Sequence, residues 1–257
     1  MKADSQYVFA GIIPARYASS RFPGKPLALI GNKPMIQLVY EQAAKSVEIV
    51  YVATDDERIY DTVMNFGGKA IMTSTDHQSG TDRCAEAVTK ITRETRIKID
   101  IVINIQVDEP FIKPGQIDLI KNCFKSENIR IATLVRRTVS GEDIFNPNQP
   151  KVIINSDGDA IYFSRAAIPF IRDTEKTDWS KNNVYYKHIG LYAYHTQTLK
   201  RITTLPQSYL EITESLEQNR WIENGYRIRT AITEWESIGI DTPEDLEKAK
   251  RLLDQYI

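Results

Sequence analysis

Basic side chains concentrate in one stretch of this chain without acidic residues to neutralise them. Between Pro14 and Lys33 the sequence has four Lys or Arg residues and no Asp or Glu, although the whole chain carries a formal net charge of -1. Unpaired positive charge attracts an anion. Three prolines in the same stretch restrict the backbone, so the basic side chains are held in a preorganised loop. Arg16, Arg21 and Lys25 therefore predict a polyphosphate site, with a merely solvated connection as the alternative.

Two aspartates are candidates for the opposite charge. Asp108 follows the apolar run 100–106, the most apolar strand pattern of the chain. A carboxylate at the C-terminal end of a central parallel strand, across from a basic phosphate loop, is where a Mg²⁺ ligand is expected. Asp241 precedes a C-terminal helix pattern with Pro243 near its first turn, so by itself it fits a helix N-cap.

The composition excludes several kinds of site and partner. Three histidines and two cysteines, with neither C-x-x-C nor H-E-x-x-H, give no zinc site. The basic stretch contains neither G-x-G-x-x-G nor G-x-x-x-x-G-K-[ST], which disfavours a dehydrogenase or a P-loop kinase. The near-neutral charge argues against nucleic acid as a partner. Because no apolar run approaches about 20 residues and residues 1–6 lack a signal-peptide core, we expect no membrane association and a cytoplasmic protein.

A regular alternation of strand and helix patterns must position these residues. Strand patterns occupy 8–13, 48–54, 69–72 and 100–106, and helix patterns lie between them. Such an alternation predicts an α/β fold with a doubly wound, mostly parallel Rossmann-like sheet and right-handed crossovers. Beyond about residue 130, strands with short connections predict an appended mixed β region, with strand patterns at 131–138, 151–155, 160–164 and 185–195 and a hairpin turn at 155–159.

Other polar residues at the ends of these patterns have two interpretations. Asp56 is expected to cap the helix that it precedes, whereas Asp55 could face a ligand. Ser79 and Thr81 could be ordinary N-caps, or their loop could read a base edge or an anion at a helix N-terminus. The glutamates at 211, 214 and 217 recur every three residues within 208–222, which predicts a solvated face with Glu214 or Gln218 turned towards a ligand.

Six ordered motifs give the chain a resemblance to a known family. They are IIPARYASSRFPGKPL from residue 12, DHQSGTDR from 76, INIQVDEPFI from 103, IYFSRAAIP from 161, HIGLYAY from 188 and GIDTPEDLEKA from 239. Together they closely resemble the 3-deoxy-manno-octulosonate (Kdo) cytidylyltransferases, or CMP-Kdo synthetases. The resemblance runs nearly end to end.

The resemblance implies a nucleotidyltransferase that joins CTP to Kdo, releases pyrophosphate and supplies CMP-Kdo for lipopolysaccharide biosynthesis. Mg²⁺ is the implied cofactor, held by Asp108 and Asp241, which are grouped with Arg16 and Lys25 as catalytic residues. The implied nucleotide-binding residues are Arg16, Arg21, Lys25, Gln78, Ser79, Gly80 and Gln106. The implied sugar-binding residues are Arg165, His188, Tyr192, Glu214 and Gln218.

The resemblance also implies a homodimer and an internal division of the single domain 1–257. Residues 1–130 would bind the nucleotide, 131–205 would bind the sugar and form the dimer region, and 206–257 would return to the sheet and end in a helix. The chain departs from the family pattern at Val107 and Ala193, where glycines are usual, and at His195, where Arg is usual. Without the resemblance, Arg165 would be a surface charge and His188 a core residue.

Two other functions remain open at this point. One is a cytidylyltransferase for another sugar acid, either the 8-amino analogue of Kdo or a sialic or other nonulosonic acid. The other is a catalytically silent nucleotide-binding protein, against which the pair Asp108 and Asp241 argues. No protein nucleophile is needed for the transfer, because positioning and electrostatics can suffice.

Overall fold

The structure, a computed structural model, describes residues 7–18, 21–139 and 142–256. Residues 1–6, on which the expectation of no leader depends, and Ser19 and Ser20 of the basic stretch lie outside this range. The chain forms two compact units that alternate along the sequence. The first unit comprises Met1–Asp118, Ala193–Thr203 and Ser237–Ile257, and the second comprises Leu119–Tyr192 and Thr204–Glu236.

Strands and helices alternate from the start of the described chain. In chain order they are β1 (Phe9–Ala15), β2 (Leu29–Ile30), β3 (Lys33–Pro34), α1 (Met35–Ala44), β4 (Ile49–Thr54), α2 (Glu57–Asn65), β5 (Ala70–Met72), α3 (Gly80–Thr95), β6 (Ile101–Asn104), α4 (Pro114–Cys123), β7 (Ile131–Arg137), β8 (Lys151–Ile154), β9 (Ala160–Ser164), α5 (Trp179–Asn182), β10 (Tyr186–His195), α6 (Thr196–Ile202), α7 (Tyr209–Glu214), α8 (Glu217–Glu223), β11 (Ile228–Thr233) and α9 (Pro243–Tyr256). No helix of the described residues combines the length and hydropathy needed to cross a membrane.

The first unit contains the parallel sheet that the strand and helix patterns predict. Its strands lie in the order β6-β1-β4-β5 and all run parallel. Every residue of β6 and all but the first of β1 are buried, as expected for strands covered on both faces. The chain winds outward from β1 through β4 to β5 and then returns to β6 on the other side of β1. A topological switch point therefore lies between β1 and β6, where open α/β sheets bind ligands.

The C-terminal helix belongs to the core of the first unit. Ile240 and, on α9, Leu246 and Ala249 pack in one cluster with Ile30, Met35, Leu38 and Phe111. The Ile240 amide also donates a hydrogen bond to the backbone carbonyl of Asp108, at 2.9 Å. Residues 240 and 241 are thereby fixed beside the loop that follows β6.

The second unit contains the predicted mixed β region. Its strands β11 and β7 are parallel, with β10 next to β7, while β8 is antiparallel to both β10 and β9. The turn between β8 and β9 is the predicted hairpin, in which Asn155 Oδ1 accepts from the amides of Asp157 and Asp159 and Gly158 has a φ of 82°. Only a residue that tolerates a left-handed backbone fits at this glycine.

The prediction of a solvated glutamate face is wrong. The pattern over 208–222 is two helices, α7 and α8, because Ser215 adopts a left-handed backbone with φ 50° and ends the first. The glutamates consequently do not share a solvated face. Glu211 is buried in a capping box with Ser208, and Glu217 pairs with Arg220 Nη2 at 2.8 Å. The three-residue spacing does not reveal this, because a left-handed serine leaves no mark on hydrophobic periodicity.

Candidate active site

A cavity of about 260 Å³ opens at the switch point of the first unit. The loops after β1 and β6, the N-terminus of α3 and Asp241, two residues before α9, supply its walls. The predicted catalytic, metal and nucleotide residues all line it: Arg16, Arg21, Lys25, Gln78, Ser79, Gly80, Gln106, Asp108 and Asp241. The structure therefore gathers these nine residues from four separate motifs, while their roles remain predictions.

The basic loop is held in a defined shape. Gly24 has a φ of 71°, and its amide donates to the Tyr17 carbonyl at 2.9 Å. A Cβ on Gly24 would lie 3.1 Å from the Tyr17 ring, so both the backbone and the close approach require glycine. A turn of 3-10 helix over Lys25–Leu27 follows at once, with Pro26 buried. This turn directs Lys25 into the cavity, where it meets the two aspartates.

The Lys25 ammonium lies between the two predicted metal ligands. Its Nζ donates to Asp108 Oδ2 at 2.7 Å and to Asp241 Oδ1 at 3.2 Å. Arg21 Nη2 also lies 3.3 Å from Asp241 Oδ1. Because both carboxylates contact one nitrogen, their oxygens lie within two hydrogen-bond lengths of each other, although 133 positions separate them in sequence.

Asp241 is not the cap of the C-terminal helix. Thr242 Oγ1 accepts from the Asp245 amide at 3.2 Å, and Asp245 Oδ2 in turn accepts from the Thr242 amide and hydroxyl. This reciprocal arrangement is a capping box built on the next residue. The Asp241 side chain is therefore left for the cavity.

The aspartate pair suits Mg²⁺ by its chemistry. Mg²⁺ prefers oxygen and takes one or two carboxylates from a protein, with the remainder from phosphate and water. Asp108 and Asp241 supply two carboxylates that already converge on a cation. The described residues contain no group of three or more His, Cys, Asp or Glu arranged for a metal, so a metal here would depend on ligands from a substrate.

The loop before α3 forms another wall of the cavity. Ser79 is the N-cap of α3, and its Oγ accepts from the Asp82 amide at 3.1 Å while Asp82 completes a capping box. A Cβ on Gly80 would lie 3.1 Å from Pro14 Cγ, so glycine lets the helix approach the end of β1 closely. Gln78 Nε2 donates to the Asp76 carbonyl at 3.0 Å. Ser79 thus caps α3 and also lines the cavity.

Two further cavity residues, Arg83 and His77, were not among the predicted site residues. The Arg83 guanidinium is buried and donates to Asp55 Oδ2 at 2.8 Å and to Thr73 Oγ1 at 2.6 Å, which joins the ends of β4 and β5 to α3. Asp55 is thus engaged by Arg83. The motif DHQSGTDR contains both residues, so the imidazole and the guanidinium in this motif are the signal by which the sequence could have identified them.

Two glutamates near the cavity have shifted pKa values. Burial alone would raise the pKa of Glu86, but hydrogen bonds from Lys90, the Ser74 amide and His77 outweigh it and hold the pKa at about 2. The His77 contact is short, 2.5 Å from Nε2 to Glu86 Oε2. For Glu109 the loss of hydration dominates and raises the pKa to about 7, although a hydrogen bond from Ser237 opposes the rise.

The loop after β6 does not depend on the glycine that the family pattern has at position 107. Among the described non-glycine residues a positive φ occurs at Arg96, Asp173 and Ser215, so Val107 has a backbone that any residue can adopt. Gln106, beside it, donates from Nε2 to Asn104 Oδ1 at 3.3 Å.

In the second unit, Arg165 and Glu214 are joined by hydrogen bonds between the side chain of each and the backbone of the other. Glu214 accepts from Ser164 Oγ at 2.6 Å, from Tyr162 Oη at 2.9 Å and from the Arg165 amide at 3.0 Å. The Arg165 guanidinium donates to the carbonyls of Glu214, Pro147 and Ser215. Each of its three nitrogens therefore donates one hydrogen bond within the protein. The second hydrogen on each of the two terminal nitrogens is left to bind a carboxylate.

The other three predicted sugar residues lie in a buried aromatic setting. The His188 and Tyr192 rings are 5.1 Å apart, and Tyr192 also contacts Trp221. His188 Nε2 lies 3.0 Å from Thr133 Oγ1, whose hydroxyl donates to the Leu191 carbonyl at 2.9 Å. With the single Thr133 proton directed to the Leu191 carbonyl, the contact with His188 is made by a proton on Nε2 of the imidazole.

Burial sets the charge state of this cluster. It lowers the pKa of His188 to about 3 and raises that of Tyr192 well above its usual value, so both are neutral near pH 7. Gln218 is also buried, and its Nε2 has no hydrogen-bond partner among the described residues. A buried donor without a partner is costly, and an acceptor such as a ligand hydroxyl oxygen would satisfy it.

Comparisons with known proteins identify the family to which the chain belongs. A family model described as cytidylyltransferase matches residues 10–232. The 3-deoxy-manno-octulosonate cytidylyltransferase of Bacteroides thetaiotaomicron is 57% identical, over 95% of this chain and 98% of its own. The protein of the same name from Parabacteroides distasonis is 58% identical, again over 95% and 98%.

Solved structures give the same result. The chain superposes with a TM-score of 0.87 and 42% identity on a CMP:2-keto-3-deoxy-manno-octonic acid synthetase complexed with CTP, covering 97% of this chain and 99% of that one. A cytidylyltransferase from Leptospira borgpetersenii, 18% identical with a TM-score of 0.62, shares the fold. By sequence over nearly its whole length, and by a fold that gathers the basic loop and two aspartates at one switch point, the chain belongs to the 3-deoxy-manno-octulosonate cytidylyltransferase family.

Proposed function

We propose that this enzyme transfers the cytidylyl group of CTP to Kdo, forming CMP-Kdo and pyrophosphate. The observation that carries the proposal is the cavity at the switch point, in which Arg16, Arg21 and Lys25 face Asp108 and Asp241. Basic groups suit a triphosphate and a pyrophosphate leaving group, and paired carboxylates suit a divalent cation. The relatives named for this reaction support the choice of CTP and Kdo.

The reaction exchanges one bond to phosphorus for another. The anomeric hydroxyl oxygen of the sugar attacks the α-phosphorus of CTP in line and loses its proton. The bond from this phosphorus to the bridging oxygen of the pyrophosphate breaks, and the electron pair leaves with pyrophosphate. Little covalent chemistry is required of the protein, so the rate depends on positioning and on charge stabilisation.

The chain's own residues divide this work by charge. Arg16, Arg21 and Lys25 neutralise the triphosphate and the negative charge that builds on the leaving pyrophosphate. Asp108 and Asp241 would hold Mg²⁺, which when bound would polarise phosphoryl oxygens as a Lewis acid. Gln78, Ser79, Gly80 and Gln106 would surround the nucleoside.

The sugar acid would meet the predicted residues of the second unit. Arg165 offers its remaining N–H groups to the sugar carboxylate, as guanidinium pairs best with carboxylate. Gln218 Nε2 would donate to a sugar hydroxyl and so gain a partner. His188 and Tyr192 form the neutral aromatic surface, and Glu214 acts by holding the Arg165 backbone in place.

We further infer the setting of the enzyme. CTP is a cytoplasmic nucleotide, and a cytoplasmic enzyme that supplies CMP-Kdo to lipopolysaccharide biosynthesis fits the family's chemistry. A homodimer is also proposed, on the family resemblance. Light scattering of the purified protein that shows only a monomer would contradict the dimer.

Pyrophosphate release from CTP and Kdo is the test of the proposed function. The purified protein with Mg²⁺ should release pyrophosphate only when both substrates are present. ATP in place of CTP, the 8-amino analogue and a sialic acid in place of Kdo are the comparisons. No release with CTP and Kdo, or equal release with ATP, would contradict the assignment.

A further inference from the structure

The cations of the basic loop differ in what they contact without nucleotide. Lys25 contacts both aspartates, and its side chain is only 12% exposed. Arg21, which is largely exposed, has Asp241 as its single ion-pair partner among the described residues. Arg16 lines the same cavity but has no ion-pair partner among the described residues. Among the described residues, Arg16 is therefore unpaired, whereas Lys25 and Arg21 are already paired with acidic residues.

We propose that Lys25 is an internal counter-ion for Asp108 and Asp241, and that it exchanges between these carboxylates and the triphosphate. This inference rests on the proposed function and deepens it. In the free enzyme Lys25 competes with a divalent cation for the two carboxylates. When a triphosphate enters, Lys25 moves to the phosphate oxygens and leaves the carboxylates to the cation.

The charges in the cavity require this exchange. Two aspartates without a counter-ion would repel each other, and the Lys25 ammonium relieves that repulsion by donating to both. A cation that binds the pair must first displace the ammonium, so its affinity without nucleotide is lowered. A triphosphate that takes Lys25 away restores that affinity. Cation and nucleotide therefore favour each other's binding, and this coupling is reciprocal.

Arg16 gives the exchange an order. Its guanidinium is exposed and unpaired among the described residues, so the triphosphate can bind it without breaking an ion pair. Lys25, held by two carboxylates, responds only once the phosphates are close. The loop then acts in two steps, with capture by Arg16 followed by release of Lys25.

The experiment measures Mn²⁺ binding without nucleotide, by electron paramagnetic resonance of the free ion at fixed ionic strength. Lys25→Met should bind Mn²⁺ at least about tenfold more tightly than the wild-type enzyme, within the usual range of coupling between sites. Arg16→Met is the matched control, because it removes the same charge from the same cavity without touching either aspartate. Arg21→Met removes one of the two cations that contact Asp241 and leaves the Lys25 contacts in place, so it should have a smaller effect than Lys25→Met.

Two results would overturn the proposal. One is equal Mn²⁺ affinity of Lys25→Met and the wild-type enzyme, and the other is an equal gain in Arg16→Met, which would show only a general effect of charge. Thermal unfolding checks that each variant folds, and Lys25→Gln replaces Lys25→Met if the latter does not. Pyrophosphate release by the wild-type enzyme tests the proposed function separately, so either idea can fail while the other stands.

Discussion

Asp108 and Asp241 are the residues on which the proposed chemistry depends most. Asp108→Asn and Asp241→Asn should each lower kcat by roughly 10²-fold or more, because each removes a carboxylate that would hold the Mg²⁺ on which charge stabilisation in the transition state depends. Stability should fall slightly, by about 0.5 kcal/mol or less for Asp241→Asn, since that side chain is 45% exposed and its ion pairs are partly screened. Steady-state pyrophosphate release and urea unfolding measure the two effects.

A gain in stability in either variant would show that repulsion between the two carboxylates outweighs their hydrogen bonds to Lys25. Asp157→Asn is a suitable control, because its carboxylate lies in the turn before β9 and contacts Arg227 at 3.5 Å. Its turnover should match that of the wild-type enzyme.

Gln218 is expected to serve the sugar at the expense of stability. Gln218→Leu removes a buried amide whose Nε2 is unpaired among the described residues, so the free energy of unfolding should stay level or rise by up to about 1 kcal/mol. The KM for the sugar acid should rise roughly tenfold, while the KM for CTP should change little. Substrate titrations and urea unfolding provide both readouts.

Glu214 supplies the contrast to Gln218. Glu214→Gln should weaken the hydrogen bonds from Ser164, Tyr162 and the Arg165 amide and lower stability. If Gln218→Leu destabilises the protein as much as Glu214→Gln does, then Gln218 is a structural residue.

His188 should make stability depend on pH. Its pKa is lowered by burial to about 3, against 6.5 when unfolded, so the unfolded chain binds the proton first as the pH falls. The contribution is complete above pH 6.5 and is lost progressively between pH 6.5 and 3. By pH 5 the wild-type protein should lose about 2 kcal/mol that His188→Asn does not lose. Urea unfolding at pH 7, 6 and 5 measures the difference, and parallel pH profiles would contradict the buried neutral imidazole.

At the scale of elements, the start of α9 separates a structural residue from a functional one. Thr242→Ala should cost about 1 kcal/mol, because the Thr242 hydroxyl caps the Asp245 amide. Turnover should fall less than tenfold, since the Asp241 carboxylate remains. Urea unfolding and pyrophosphate release are compared with those of Thr242→Ser, which keeps the hydroxyl. A larger stability loss in Asp241→Asn than in Thr242→Ala would return the capping role to Asp241.

The loop elements show where local chemistry decides geometry. Gly24 must be glycine for both its backbone and its contact with Tyr17, and the turn that follows aims Lys25 into the cavity. Between α7 and α8 the residue type does not predict the backbone, because Ser215 adopts a left-handed conformation that serine does not favour. The Arg165 guanidinium donates to the Ser215 carbonyl at 3.1 Å, a tertiary contact at this break.

For the whole molecule, nucleotide binding should be visible as thermal stabilisation. CTP with Mg²⁺ at about 100 times its Kd should add about 2.7 kcal/mol to the free energy of unfolding, which raises Tm by several degrees. ATP at the same concentration should add less, because a purine is expected to clash with the wall formed by Gln78, Ser79 and Gly80. Inorganic triphosphate shows how much of the shift is due to phosphate alone. Equal shifts with CTP and ATP would contradict selection of the base by this loop.

The strands, the parallel sheet and the position of its switch point could be predicted from the sequence, because short-range residue patterns determine them. Continuous apolar runs report strands buried on both faces, and their alternation with helices implies a parallel sheet and a switch point. The positive charge of the basic stretch is visible in the sequence, because the stretch contains no Asp or Glu. The family motifs then supplied the nine residues that the structure gathers in the cavity of the first unit.

Only the tertiary structure decided which of these groups touch. Lys25 meets Asp108 and Asp241 across 83 and 216 positions of chain, and Arg83 meets Asp55. Hydrophobic periodicity reports which face of an element is buried, but an ion pair between distant loops has no period and leaves no such pattern. The sequence by itself therefore determined the scaffold and the kinds of chemistry, whereas packing of the C-terminal helix against the core brought Asp241 to Lys25 and completed the site.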